Sequence, residues 1–264
     1  MALVLRELYK NYLYFSNEGR DTRLENSLLM GSPLKPLSIV LFYLYFVKSL
    51  GPRLMENRKP FELKNVLIVY NLFQVIVNCY LAGWGTVSLW GRDIRCLNVD
   101  YSPSGINEAR ISYCYYMLKV FDLLDTVFFI LRKRYDQASF LHVYHHVGVS
   151  LGAFVSCSFL PGGHALGLGV LNCYVHALMY FYYFLSCIKS DLKSSIWWKK
   201  HITHIQMIQF AILFIHFGHP LVFGNCQYPK SWLVALCVQN LFMLILFSDF
   251  YHKAYIRKRQ SKVN

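Results

Sequence analysis

Histidines 142, 145 and 146 stand in the pattern H-x-x-H-H, inside a stretch from Ala138 to Leu160 that carries no Asp, Glu, Lys or Arg. Spacings of three and four residues bring the three imidazoles to one side of a helix. His176 lies in a second uncharged stretch, Gly167–Ile188, where Asn172, Val175, Met179 and Tyr180 share its face. In a third, Ile111–Leu131, Lys119, Asp122 and Asp125 recur every three residues, with Thr126 beside them. In a fourth, His201–Phe217, Thr203, Gln206 and Gln209 keep the same step. Taken singly, each has an ordinary reading: an ion pair between helices, a satisfied core histidine, or amides that glue helices together. Together they are ionisable and hydrogen-bonding groups where lipid would otherwise demand none, and such groups mark function.

Two chemistries suit clustered imidazoles. One is a metal centre, because imidazole binds iron or zinc and di-iron membrane desaturases use boxes of the H-x-x-H-H kind. His201/His204 and His216/His219 add two H-x-x-H pairs. On a straight helix, however, His219 lies 19 residues past Lys200, ~28 Å away, too far to join His145. The other is acyl transfer, in which a neutral imidazole acts as base or nucleophile. Basic loops would then suit a phosphate-bearing carrier such as coenzyme A.

The elements that must position these groups follow from composition. The 264 residues are 55% hydrophobic and 16% charged, with mean hydropathy +0.32. Soluble domains carry about 25% charged residues, so disorder and a soluble α/β enzyme are both excluded. Seven apolar segments can be drawn: Leu34–Leu50, Asn65–Trp84, Ile111–Leu131, Ala138–Leu160, Gly167–Ile188, His201–Phe217 and Trp232–Phe247. A crossing needs roughly 20 apolar residues. The net charge of +13 is distributed unevenly. Loops 48–64, 132–137 and 189–200 and the tail hold seventeen Lys/Arg, whereas the intervening loops hold Arg92, Arg95, Arg110 and Lys230. That alternation is the positive-inside pattern of an odd number of spans. It places the N-terminus outside the cytosol and the C-terminus within it, although the N-terminal arm is itself basic. The expected organisation is an arm over 1–33, seven transmembrane helices over 34–251 and a basic tail over 252–264. The first span, interrupted by Lys35, Pro36 and Lys48, is the weakest. Distances from the basic loops put His145 at ~16 Å, His176 at ~20 Å, Asp125 at ~10 Å and Gln209 at ~14 Å of helix rise. All four therefore fall in the cytosolic half of the bilayer. Seven spans also fit a receptor or a transporter, but a receptor with its N-terminus outside would concentrate ligand groups in the opposite half.

From about Gly51 to Tyr255 the chain resembles the very-long-chain fatty acid elongases, the ELO-type 3-oxoacyl-CoA synthases. Gly51, Pro52, Met55, Asn57, Arg58, Pro60 and Phe61 resemble that family's first cytosolic loop, followed by Tyr70 and Asn71. Residues 119–126 resemble its K-x-x-E-x-x-D-T motif, with Asp122 where the family usually has Glu. His142–His146 match its histidine box. Asn172, Val175, His176, Met179, Tyr180, Tyr182 and Tyr183 match the next motif, and Thr203, Gln206, Gln209 and Phe210 match T-x-x-Q-x-x-Q-F.

The resemblance implies an all-α membrane protein, with six or seven helices packed around an acyl tunnel open to the cytosol. It implies condensation of acyl-CoA with malonyl-CoA to 3-oxoacyl-CoA, carbon dioxide and CoA, without a cofactor or metal. His145 would carry the acyl group as an acyl-imidazole, with Cys173 as the rival nucleophile. His176, His142 and His146 would complete the catalytic set. Lys119, Asp122, Asp125, Asn172, Tyr180, Thr203, Gln206, Gln209 and Arg58 would hold substrate. The implied location is the endoplasmic reticulum membrane. Partners would be membrane lipid, a separate ketoreductase, dehydratase and enoyl reductase, and further copies of the chain in a homo-oligomer; no nucleic acid is expected. Of eight cysteines, Cys96 and Cys226 alone lie in loops, both on the side that the charges assign to the lumen. In that oxidising compartment they are expected to pair.

Overall fold

The computed structural model describes Arg6, Tyr9 and residues 19–189, 191–192, 195–224 and 226–257. Part of the N-terminal arm, Lys193 and the tail from Lys258 lie outside the described residues. The described residues form helices joined by turns, with no strand among them. They divide into two compact units, Met1–Glu62 with Val99–Ala165, and Leu63–Asn98 with Leu166–Asn264.

The first unit contains α1 (Leu34–Met55), α3 (Ile106–Phe121), α4 (Leu124–Leu131) and α5 (Phe140–Phe159). α1 runs past the expected end at Leu50. Pro52 cannot donate a backbone bond and crowds the preceding turn, and the helix widens to a π-turn over Phe46–Leu50 just before it. Gly51 then passes so close to α4 that a Cβ would lie 2.7 Å from Ile130 Cγ2. The expected span Ile111–Leu131 is two helices. After Phe121 the backbone tightens: Leu123 N bonds Val120 O at 3.3 Å and Asp125 N bonds Asp122 O at 3.1 Å. Asp competes poorly for helix interiors, and the break falls on the residue whose carboxylate is committed to Lys119. Ser139 caps α5, its hydroxyl accepting from His142 N at 3.3 Å. Residues preceding α1 are tied to this unit by Asp21 N to Ser158 O at 2.8 Å, and by Arg23 donating to the carbonyls of Asp100 and Ser102, both at 3.0 Å.

The second unit contains α2 (Lys64–Leu89), α6 (Leu166–Ile188), α7 (Ile196–Phe223) and α8 (Lys230–Tyr251). α2 packs along α6, α6 touches α7, and α7 packs along α8. α7 is longer than the expected His201–Phe217 and accepts Pro220 in its last turn. Cys96 and Cys226 form a disulfide, with Cα atoms 5.6 Å apart, tying the loop after α2 to the segment after α7.

Five helices among the described residues are long and apolar enough to cross a membrane: Leu34–Met55, Lys64–Leu89, Gly163–Ile188, Ile196–Phe223 and Lys230–Arg257. The chain is thus a multi-pass helical membrane protein by length and composition. The broken α3–α4 pair and α5, whose histidines lower its hydropathy, are the segments that separate five from seven.

Candidate functional site

In the first unit, α5 presents His142, His146 and Ser150 four residues apart, on one stripe. Thr126, in the first turns of α4, reaches His142 Nε2 with its Oγ1 at 2.9 Å. The same Oγ1 meets the Tyr43 hydroxyl of α1 at 2.7 Å. A hydroxyl has one proton and two lone pairs, so these two contacts fix the His142 ring between three helices. The His142 and His146 centroids are 4.2 Å apart, and those of His145 and His146 are 5.7 Å apart. His146 is buried, whereas His142 and His145 are partly exposed. Ser150 donates to Lys119 O at 3.0 Å, joining α5 to the end of α3.

Lys119 and Asp122 are both fully enclosed, with side-chain exposures of 0% and 1%, and Nζ donates to Oδ2 at 2.8 Å. Nζ also lies 5.0 Å above the centre of the Tyr115 ring. This is an ion pair within one chain segment, not one between separate helices. Asp125 is partly exposed in the first turn of α4, and Arg58 is exposed in the turn after α1. Among the described residues, no three His, Cys, Asp or Glu side chains are arranged to share one metal ion.

In the second unit, α6 buries Asn172, His176 and Tyr180. The Tyr180 ring sits edge-on, 5.8 Å from His176, 6.0 Å from Tyr70 of α2 and 6.1 Å from Tyr183. Cys173, on the neighbouring face of α6, is buried as well. On α7, Gln206 Nε2 points to Met179 Sδ at 3.5 Å. Gln209 is buried, and its Oε1 has no hydrogen-bond partner among the described residues. Thr203 donates back to Lys199 O at 2.9 Å. His201 is exposed and bonds Trp197 O at 2.8 Å. Its ring centre is 6.1 Å from His204, which lies 4.6 Å from Tyr251. Outside the spans, Arg95 donates to both Asp93 oxygens and draws that carboxyl down to about 2, below the usual carboxylate range.

The structure therefore gathers Lys119, Asp122, His142, His145 and His146 in the first unit. It gathers Asn172, His176 and Tyr180 on one helix of the second, with Gln206 reaching Met179 of that helix. Sequence reasoning did not single out Tyr43, Ser150, Gln74 or Asn78. Ser150 could have been found by extending the four-residue step from His146. Gln74 and Asn78 could have been found as amides four apart in an uncharged span.

These features define a multi-pass helical membrane protein with paired charges and imidazoles buried among its helices. The chain belongs to the ELO: GNS1/SUR4 family, whose family model matches residues 28–263. It is 40% identical to very long chain fatty acid elongase 7 of Drosophila melanogaster over 258 residues, which is 96% of this chain and 78% of that one. It is 41% identical to very long chain fatty acid elongase 7 of Rattus norvegicus over 259 residues, 94% and 89% of the two chains. It is 37% identical to very long chain fatty acid elongase 1 of Homo sapiens over 249 residues, 91% and 88% of the two chains.

Proposed function

We propose that this chain is a condensing enzyme of fatty acid elongation, joining an acyl-CoA to malonyl-CoA to give 3-oxoacyl-CoA, carbon dioxide and CoA. The observation that carries the proposal is the histidine stripe of α5, held by Thr126 and Tyr43 and joined through Ser150 to the segment that bears the buried Lys119–Asp122 pair, in a chain whose relatives are named as elongases.

Acyl transfer needs a nucleophile that accepts the acyl group and yields it to carbon. His145, partly exposed on α5 beside His142 and His146, is the imidazole assigned to this step. It attacks the thioester carbonyl, CoA leaves as thiol, and an acyl-imidazole remains. A dry surround protects that reactive amide from water. His142 and His146 hold the ring environment. His176 assists the catalytic step, and Asp125, Asn172, Tyr180, Thr203, Gln206, Gln209, the Lys119–Asp122 pair and Arg58 bind and orient the two CoA substrates. An acyl tunnel open to the cytosol belongs to this proposal. So do seven spans, with α3 and α4 together as the third and α5 as the fourth. So also does an endoplasmic reticulum location with the N-terminus lumenal and the C-terminus cytosolic. The reaction requires no redox cofactor or metal, because decarboxylation itself generates the carbon nucleophile. A ketoreductase, dehydratase and enoyl reductase would complete the cycle.

Purified protein given acyl-CoA and carboxyl-labelled malonyl-CoA should release labelled carbon dioxide. Intact-protein mass spectrometry after acyl-CoA alone should show one added acyl mass. His145→Ala should abolish both, while His201→Ala keeps most activity. An acyl mass that survives in His145→Ala and disappears in Cys173→Ala would overturn the histidine mechanism.

A further inference from the structure

The disulfide between Cys96 and Cys226 is not sealed inside the protein. Both cysteines line an open cavity of about 420 Å³, together with Asp93, Arg95, His219 and Phe223. All of these residues belong to the second unit. A volume of that size is in the range of sites for small ligands. The two sulfurs are not equivalent, because Cys96 is partly exposed whereas Cys226 is buried. The polar groups of the wall have bonding capacity to spare. Arg95 gives Asp93 one contact from Nε, at 2.8 Å, and one from Nη2, at 2.7 Å. The rest of its guanidinium N–H fork, and further lone pairs on the carboxylate, are left for other partners. His219 stands in the last turns of α7, and its Nδ1 is enclosed without a hydrogen-bond partner among the described residues. A cation, an anion and an imidazole thus share one cavity wall with a bond that a thiolate can attack.

We propose that Cys96 is a thiol-exchange site for a small zwitterionic thiol, whose carboxylate and ammonium groups are held by Arg95 and Asp93. This goes beyond the condensation reading and does not depend on it. In the exchange the incoming thiol first gives its proton to the medium. Its thiolate attacks Cys96 Sγ, the more exposed sulfur, from the side opposite the S–S bond. A new S–S bond forms, the old one breaks, and its electron pair leaves on Cys226 Sγ. That thiolate is released into the cavity that His219 also lines, where an imidazole N–H stabilises it, as nearby histidines do for other thiolates. It then takes up a proton. The products are a mixed disulfide on Cys96 and a free thiol on Cys226, with no net oxidation. Attack of Cys226 on Cys96 Sγ reverses the step and expels the small thiol. While the mixed disulfide lasts, the loop after α2 is untied from the segment after α7. In the topology proposed above this end of the chain faces the lumen, a compartment in which disulfides form and persist.

The test uses the full chain, purified in detergent without reductant and held well below its unfolding temperature. It is incubated with glutathione or with 2-mercaptoethanol, and free thiols are then trapped with N-ethylmaleimide. Each rate is divided by that thiol's rate on a small unstructured disulfide, which removes intrinsic differences in nucleophilicity. Intact-protein mass spectrometry should show one added glutathionyl group. Peptide mapping should place it on Cys96, with the maleimide on Cys226. Glutathione should react about twofold to fivefold faster than 2-mercaptoethanol, which is what exposed charge contacts supply. Arg95→Gln and Asp93→Asn should each shrink that advantage and leave the 2-mercaptoethanol rate within about twofold of wild type. His219→Phe should slow both thiols alike, by about threefold to tenfold, through the leaving thiolate. A merely loosened structure would quicken exchange instead. The comparison of the two thiols on wild-type protein stands even if a variant fails to fold. A bond that opens only as the protein unfolds, a glutathionyl group on Cys226 alone, or equal normalised rates for the two thiols would overturn the proposal.

Discussion

Replacing Lys119 with Met should destabilise the protein more than any surface change, and removing Asp122 as well should restore most of the loss. The two side chains have 0% and 1% exposure and meet at 2.8 Å. Two unit charges about 4 Å apart attract by about 4 kcal/mol at an effective dielectric near 20. Taking both out of water costs a comparable amount, so the intact pair is close to neutral for stability. Lys119→Met leaves the Asp122 carboxylate enclosed without its cation, which costs about 3–5 kcal/mol. Met keeps the length of the lysine stem and can still contact the Tyr115 ring, so the packing loss is small. At about 2–4 °C per kcal/mol, Tm in detergent should fall by roughly 10 °C. Asp122→Leu alone should do similar damage through the stranded ammonium. Lys119→Met/Asp122→Leu should return to within about 1 kcal/mol of wild type, because an apolar pair of similar volume replaces an ionic one without a stranded charge. Thermal unfolding of the four proteins in one detergent completes the cycle. A double variant as unstable as either single variant would refute the reasoning and assign the loss to shape rather than charge.

The Cys96–Cys226 bond spans a sequence separation of 130 residues, and closing so long a loop is worth about 4–5 kcal/mol on the chain-entropy account. Replacing both cysteines with Ser should lower Tm by roughly 10–15 °C, and non-reducing peptide mapping should recover the two peptides linked; alkylatable thiols at both positions would contradict the bond. Asp93, held at about 2 by the exposed Arg95 contact, has a folded value below its ordinary 3.8. Its contribution is present above that ordinary value and lost as pH falls through about 2, so any Tm difference between Asp93→Asn and wild type should stay constant between pH 5 and pH 8 and shrink below about pH 4. Condensation should persist in EDTA, with no stoichiometric iron or zinc in the pure protein by elemental analysis; two iron atoms per chain would favour the di-iron desaturase chemistry.

How far the sequence reaches depends on whether a property is local. Apolar length and loop charge are local, so five of the seven expected spans reappear as helices long and apolar enough to cross a membrane. The break at Asp122 was not legible, because helical spacing through Lys119, Asp122 and Asp125 is consistent with one straight helix. Only the tightened turns at Leu123 and Asp125 distinguish two helices from one. The π-turn in α1 had a visible cause in Pro52, but nothing local said that the helix would widen rather than end. Site residues within one helix were readable from steps of three and four. Partners across helices were not: Tyr43 sits 83 positions from Thr126, and Ser150 sits 31 from Lys119. The ladder of Tyr70, Gln74 and Asn78 on α2 is the instructive intermediate case. Its members are local and regularly spaced, yet buried amides in a membrane span are commonly glue. The direction of this ladder is set by the backbone oxygen of Gln74 that accepts from Asn78, the same i to i−4 donation that Thr86, Asn240 and Ser248 make on their own helices. From that one acceptor the orientation of each further amide follows, ending on a phenol packed toward the ring that contacts His176.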